Sequence, residues 1–236
     1  MPRHYYDRTI LENIVCSKDV LIHDHEQQIT IEKRDYLDLY FKNGGIRKLA
    51  VIMMNPSIAD NVYSDGTVNS IVYWFKTGSS SVNNDLEDIS KVKLISILNL
   101  FPIYSPVSPN LQQSIDHIID YYGSYELIDK VIDSNNITLN QNIIEADYII
   151  LGWGNCPSNF YHSTYYQQIN SVLGQIRNNK KEKVYIFHVR NNRAKARGVN
   201  SENILTDYKN PVHPSNGKII GLVRVDIDSL LRILPR

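Results

Sequence analysis

The sequence predicts an α/β fold, a three-layer α/β/α arrangement around a central, mainly parallel sheet of four to five strands, with extra strands at the amino end. Short Ile- and Val-rich runs recur along the chain, each bounded by turn residues. Segments with the period of amphipathic helices lie between them. The 236 residues suffice for one sizeable core, and no repeat or linker forces a second domain. A single domain over 1–236 is expected, with residues 1–48 as an extension packed on its core.

ITIEKRDYLDLYF (29–41) alternates in part and suggests an added antiparallel strand. LAVIMM (49–54) is continuously apolar, reads as a buried strand and runs into Asn55-Pro56-Ser57. VNSIVYWFK (68–76) is amphipathic, and SSSVNNDLED (79–88) is a polar loop excursion. KLISILNLF (93–101) is a second buried strand, stopped by Pro102. The stretch 111–133 sets Ile115, Ile118, Ile119 and Tyr122 near helical spacing, with Asp116 and Asp120 outward. ADYIILGWG (146–154) and KVYIFHV (183–189) are further buried strands, separated by a helix over 161–179 that aligns Ile169, Val172, Leu173 and Ile176. IIGLVRVDI (219–227) suits either a strand or the start of a carboxyl-terminal helix.

Composition excludes several classes. Hydrophobic residues at 42% and charged residues at 21% are globular values, which excludes a wholly disordered chain. No apolar run approaches the roughly 20 residues of a membrane span, and MPRHYYDRTILENIVC lacks the pattern of a signal peptide. Two cysteines are too few for a disulfide framework or a Cys-rich metal site. The expectation is a soluble, cytoplasmic monomer without membrane partners. The 25 basic and 25 acidic side chains cancel, but unevenly: residues 1–170 carry 12 basic and 20 acidic groups, residues 171–236 carry 13 and 5. A basic carboxyl-terminal part suggests one face able to meet phosphate.

Ligands of open α/β sheets bind beyond the carboxyl ends of the strands. The segments there are Asn55-Pro56-Ser57, Asn99 to Pro102, Trp153-Gly154-Asn155, His188 to Arg193, and His213-Pro214-Ser215. Together and in order they resemble the uracil-DNA glycosylase superfamily. MMNPS is similar to the Asn-Pro form of its water-positioning motif, and SILN, ending at Asn99, resembles a strand that presents a base-reading Asn. YIILGWG is similar to a strand ending in LWG, and His213-Pro214-Ser215 to the HPS motif. The sequence departs from that pattern at Met53, Ser57 and Asn216, which points away from plain uracil. NPSIAD followed by Asp65-Gly66-Thr67 also looks like a bacterial family of unknown function carrying NPSxAD and D-x-T.

The resemblance implies a DNA glycosylase that leaves an abasic site, acting on a modified or damaged base such as a hypermodified cytosine of phage DNA. It implies duplex DNA with a flipped base as partner, and no cofactor or metal. Breaking the N-glycosidic bond requires a donor to the leaving base and a positioned water. His213 is the candidate donor, Asn55 the candidate holder of the water, and Asp60 or Asp65 a carboxylate base or sugar-cation stabiliser; Asp65, ahead of a helix, also suits a cap. Tyr63, Phe101 and Trp153 are candidate stackers for an extruded base, and Asn99 a candidate reader of its edge. Ser57, Ser215, Arg190, Arg193 and Arg197 are candidate contacts to the DNA backbone. Two other readings share these residues: a non-catalytic nucleic-acid-binding module, and a glycosidase of free nucleosides or nucleotides. The His23-x-His25 pair suits a surface strand as well as a metal; Cys16 lacks a nearby His-containing motif, and Cys156 reads as a buried inert thiol with a thiol nucleophile as the alternative.

Overall fold

A computed structural model of the protein describes residues 3–42, 44–78, 91–104, 110–179, 181–191 and 202–236; the polar segment 79–88 lies outside them. The chain opens with β1 (His4–Tyr5) and two long strands, β2 (Leu11–Asp24) and β3 (Ile29–Phe41). β4 (Arg47–Met53) leads through the NPS loop to β5 (Tyr63–Ser64) and α1 (Gly66–Tyr73), which runs on into a π turn over Trp74–Gly78. β6 (Val92–Asn99) precedes α2 (Leu111–Tyr122) and α3 (Glu126–Glu145). Then come β7 (Tyr148–Leu151), α4 (His162–Asn178), β8 (Val184–Arg190) and β9 (Glu202–Asn203). A 3-10 turn over Pro214–Asn216 precedes β10 (Lys218–Ile227) and β11 (Ile233–Pro235).

The architecture is α/β, but the sheet corrects the expectation of a mainly parallel four- to five-stranded one. It has nine strands in the order β11-β10-β8-β7-β4-β6-β3-β2, with β9 on β8. The four apolar runs form adjacent parallel strands, β6-β4-β7-β8. Every other pairing in the sheet is antiparallel: β2 with β3, β3 with β6, β8 with β9 and β10, and β10 with β11. The physical reason lies in the connections and in one-sided burial. A tight turn joins β2 to β3, with the Asp24 carboxylate accepting from the amides of Glu26 and Gln27, and such a hairpin is necessarily antiparallel. β2 buries only some of its side chains and carries charge between them, so it does not read as an apolar run. The ambiguous segment at 219–227 is strand β10, paired antiparallel with β8.

Side chains of the central strands alternate between two cores, as the strand period of two requires. Ala50, Ile52, Leu98, Ile149, Leu151 and Ile186 face the helices α2, α3 and α4. Leu49, Val51, Met53, Ile97, Ile150 and Phe187 face the other way, onto α1, its π turn and the chain around Tyr6–Leu11. The helical pattern read over 111–133 is two helices, because Gly123 adopts φ +66° and ends α2. Among the described residues, the cations of the carboxyl-terminal part do not form one face. Arg190 and Lys218 pair at the carboxyl end of β8, whereas Arg224 and Lys183 sit toward its amino end. Arg224 donates there to the Glu182 carbonyl, and Arg236 and Arg232 pair with Asp226 and Asp228.

Candidate active site

β4 is central, and the chain leaves it for β6 on one side and later fills β7 on the other. That arrangement makes the carboxyl end of β4 the place where open α/β sheets take their ligands. The segment there is Asn55-Pro56-Ser57, where proline stops the strand. Neighbouring strands extend past the same edge: Leu100 and Phe101 donate to the carbonyls of Met53 and Met54, and Gly152 donates to that of Ile52.

Asp65 ties the NPS loop to α1. It is fully buried; one oxygen accepts from the amides of Thr67 and Val68 at 2.7 and 2.8 Å, and Ser57 Oγ donates to the other. The capping function anticipated from Gly66-Thr67 is therefore combined with a second one, fixing Ser57. Asp60 closes the turn before it, with Oδ1 accepting from the amides of Val62 and Tyr63, both at 2.8 Å. Asn55 is buried, and its Nδ2 donates to the Pro56 carbonyl at 3.2 Å.

His213 comes from the loop before β10, as the residue that caps the Pro214–Asn216 turn. Its Nδ1 accepts the Ser215 amide at 3.2 Å and lies 2.7 Å from Ser215 Oγ. A backbone N–H can only donate, so Nδ1 carries no proton and the neutral ring is protonated at Nε2. Desolvation in the protein lowers the imidazole pKa to about 4, against the smaller opposing pull of the nearby Asp65 carboxylate. Gly154, at φ +80°, packs on His213: a Cβ there would lie 3.2 Å from His213 Cβ. Gly154 also donates to the Pro211 carbonyl and accepts from Tyr165 Oη, so the loop after β7 holds the loop that carries His213. Helix α1 packs on the Pro214–Asn216 turn. Ser57, Asp65, His213 and Ser215 are thus brought together.

The depressed pKa has a measurable consequence. An unfolded imidazole titrates near 6.5, whereas His213 in the folded protein titrates near 4. Between these values the unfolded chain binds the extra proton, so the stability is full above pH 6.5 and is lost as pH falls toward 4. The pKa difference sets an upper bound of about 3 kcal/mol on the loss, and partial exposure of the ring brings it below that bound. His213→Gln should flatten this part of a plot of Tm against pH; an unaltered profile would contradict the assignment.

The remaining candidates are placed differently. Asn99 is 0% exposed. With its amide oriented to satisfy both ends, Nδ2 donates to the Asn55 carbonyl at 3.2 Å and Oδ1 accepts from Arg34 Nη2 at 3.3 Å. Both functions meet protein, and the residue locks two strand ends together. Phe101 and Trp153 are each 1% exposed; Phe101 meets Phe160 edge-on at 4.9 Å and is stacked with Tyr165 at 6.4 Å. Tyr63 lies in the small β1–β5 ribbon, 5.3 Å from the exposed Tyr5 ring, with the Arg3 guanidinium 5.2 Å above it. Ser215 is exposed beside His213, and Arg190 ends β8; Arg193 and Arg197 lie outside the described residues. Cys16 and Cys156 are free thiols whose pKa burial raises, and His23 stands edge-on to His25 at 4.2 Å in the β2–β3 turn region.

Sequence reasoning missed Arg34. In a strand rich in Lys, Arg, Asp and Glu it reads as one more solvated charge, yet it is 0% exposed. Nη1 donates to the Ala59 carbonyl at 2.7 Å, and Tyr104 Oη donates to the same oxygen at 2.7 Å. Arg34 therefore holds both Asn99 and the loop that carries the NPS segment. No curated protein and no solved structure matches the chain. A family model described as a protein of unknown function, DUF1643, matches residues 41–215, which include every strand end discussed above, and the chain belongs to that family.

Proposed function

We propose that the protein is a DNA glycosylase acting on a modified or damaged base, with cytoplasmic defence against phage genomes as its setting. The observation that carries the reading is the neutral His213, with Nδ1 occupied by the Ser215 amide and its proton on Nε2, near the Asp65 carboxylate that holds Ser57 of the NPS loop. Such a donor suits a base that departs as an anion: it stabilises the developing charge without needing to be ionised. In the reaction, water adds to the sugar carbon as the N-glycosidic bond breaks, the bonding electron pair leaves with the base, and the proton lost by the water passes to solvent, which reprotonates the departed base. His213 Nε2–H donates to that base. Asn55 orients the water, and the buried Asp65 carboxylate opposes the positive charge building on the sugar.

The test is to incubate the full chain with duplexes bearing different modified bases, and with phage DNA rich in modified cytosine, and to score alkali-labile abasic sites. Product from at least one substrate is expected; its absence from all of them would reject the enzyme reading. A second reading, a nucleic-acid-binding module without chemistry, is favoured by the burial of Asn99, Phe101 and Trp153. It calls for salt-sensitive binding without abasic product and indifference to Asn55→Ala.

A further inference from the structure

The amino-terminal hairpin does more than widen the sheet. β3 runs past the carboxyl end of β6 and pairs beyond it: Arg34 N donates to the Pro102 carbonyl, Tyr104 N to the Glu32 carbonyl, and Lys33 bridges Ile103. This overhang, the first turns of α2 and the loop Ile58–Asp60 enclose a cavity of about 520 Å³. That is within the size of sites for small organic ligands, about 300–1,000 Å³. Ile58 and Asp60, just after the NPS segment, form part of its wall.

Its lining combines two cations, the carboxylates of Glu32 and Asp60, and side-chain amides. Arg3 and Lys18 bring cations, each held over an aromatic ring: Arg3 over Tyr63 at 5.2 Å and Lys18 over Tyr104 at 4.9 Å. Gln27, Asn110 and Gln113 bring side-chain amides, which offer a donor and an acceptor each. Asn110, Gln113, Ser114 and His117 follow the spacing i, i+3, i+4, i+7, so one polar stripe of α2 faces the cavity while Leu111, Ile115 and Ile118 face the core. The polar stripe thus has a destination other than bulk water.

Beneath the cavity lies the buried Arg34. Among the described residues no carboxylate pairs with it, and its Nε has no hydrogen-bond partner. Its guanidinium lies 5.7 Å from the Tyr104 ring, on whose other contact sits the Lys18 ammonium. A buried cation without a counter-ion adds positive potential to the cavity floor, and low local polarity strengthens it. The two donors that converge on the Ala59 carbonyl, from Arg34 and Tyr104, also hold the wall at Ile58–Asp60 in place before any ligand arrives.

We infer that this cavity binds a nucleotide, with the phosphate at Lys18 and Arg3 and the base edge read by Gln27, Asn110 and Gln113. Glu32 pairs with Lys18 at 2.7 Å and competes with the phosphate for its ammonium, which makes Glu32 a brake on affinity. Free nucleotides and the nucleotide units of a single strand share this chemistry. The inference does not depend on the glycosylase reading, since His213 and Asn55 are no part of the cavity.

Calorimetric titration of the full chain tests it, using deoxynucleoside monophosphates, a mixed-sequence single-stranded oligonucleotide and inorganic phosphate. Saturable binding of a monophosphate identifies a free nucleotide as the source; binding of the oligonucleotide alone identifies a strand. In either case Lys18→Ala should weaken binding about tenfold, as loss of one charge-assisted contact does. Glu32→Gln should strengthen it, a change of opposite sign that loss of structure would not produce. Lys130→Ala, on the exposed face of α3, should leave it unchanged. The inference is overturned if neither nucleotide form binds, if inorganic phosphate binds as tightly as the nucleotides, or if Lys18→Ala and Glu32→Gln both leave binding unaltered.

Discussion

His213→Ala should slow base release by roughly two to three orders of magnitude, the cost of removing one preorganised donor to a developing anion. The effect is large because the ring is fixed before the substrate arrives. Ser215 N–H occupies Nδ1, Gly154 closes on the Cβ, and the chain before the turn is held through the Pro211 carbonyl. Little reorganisation remains to be done at the moment of reaction. Single-turnover kinetics on a duplex that yields product is the measurement, with Tm above pH 7 confirming that the variant is folded. A rate within threefold of the unaltered protein would remove His213 from the chemistry.

Phe101→Ala should destabilise the fold by about 3–5 kcal/mol, the range for deleting a large buried aromatic side chain. The sequence reads Phe101 as a stacker for an extruded base; its surroundings are those of a core residue. It meets Phe160 and Tyr165, in the core that joins the sheet to α2, α3 and α4. Tyr63→Ala is the contrast, because its partners are the exposed Tyr5 and Arg3 rather than the core, and a loss of under about 1 kcal/mol is expected. Urea denaturation at equilibrium compares the two. A near-zero change for Phe101→Ala would place that ring at a ligand surface after all.

The two aromatics show where strand-end reasoning reaches its limit. An aromatic at the end of a buried strand can face the crevice or the helices that cover the sheet, and one strand step exchanges the two. Asn99 illustrates the same limit with a polar group. Its position at the end of β6 was legible, but its partners, the Asn55 carbonyl and Arg34, come from strands that are neighbours only in space. Asp65 was more legible, since a carboxylate before Gly66-Thr67 acts locally on the helix that follows; its bond with Ser57 was not.

The sequence by itself determined the four parallel strands, the turns that end them and the helical stretches between, though not the break at Gly123. Those features follow from short-range patterns: continuous apolar runs, helical spacing, and proline or glycine where the backbone must change direction. Tertiary structure alone decided that the sheet is mixed and nine-stranded, that described cations of the carboxyl-terminal part such as Arg190 and Arg224 lie toward opposite ends of β8, and that Arg34 is buried. Each of these depends on which segments meet across large sequence separations. A charged residue in a half-polar strand carries no local sign of whether its outward neighbour is water or another strand's loop. For Arg34 that neighbour is the Ala59 carbonyl, 25 residues along the chain and 2.7 Å away.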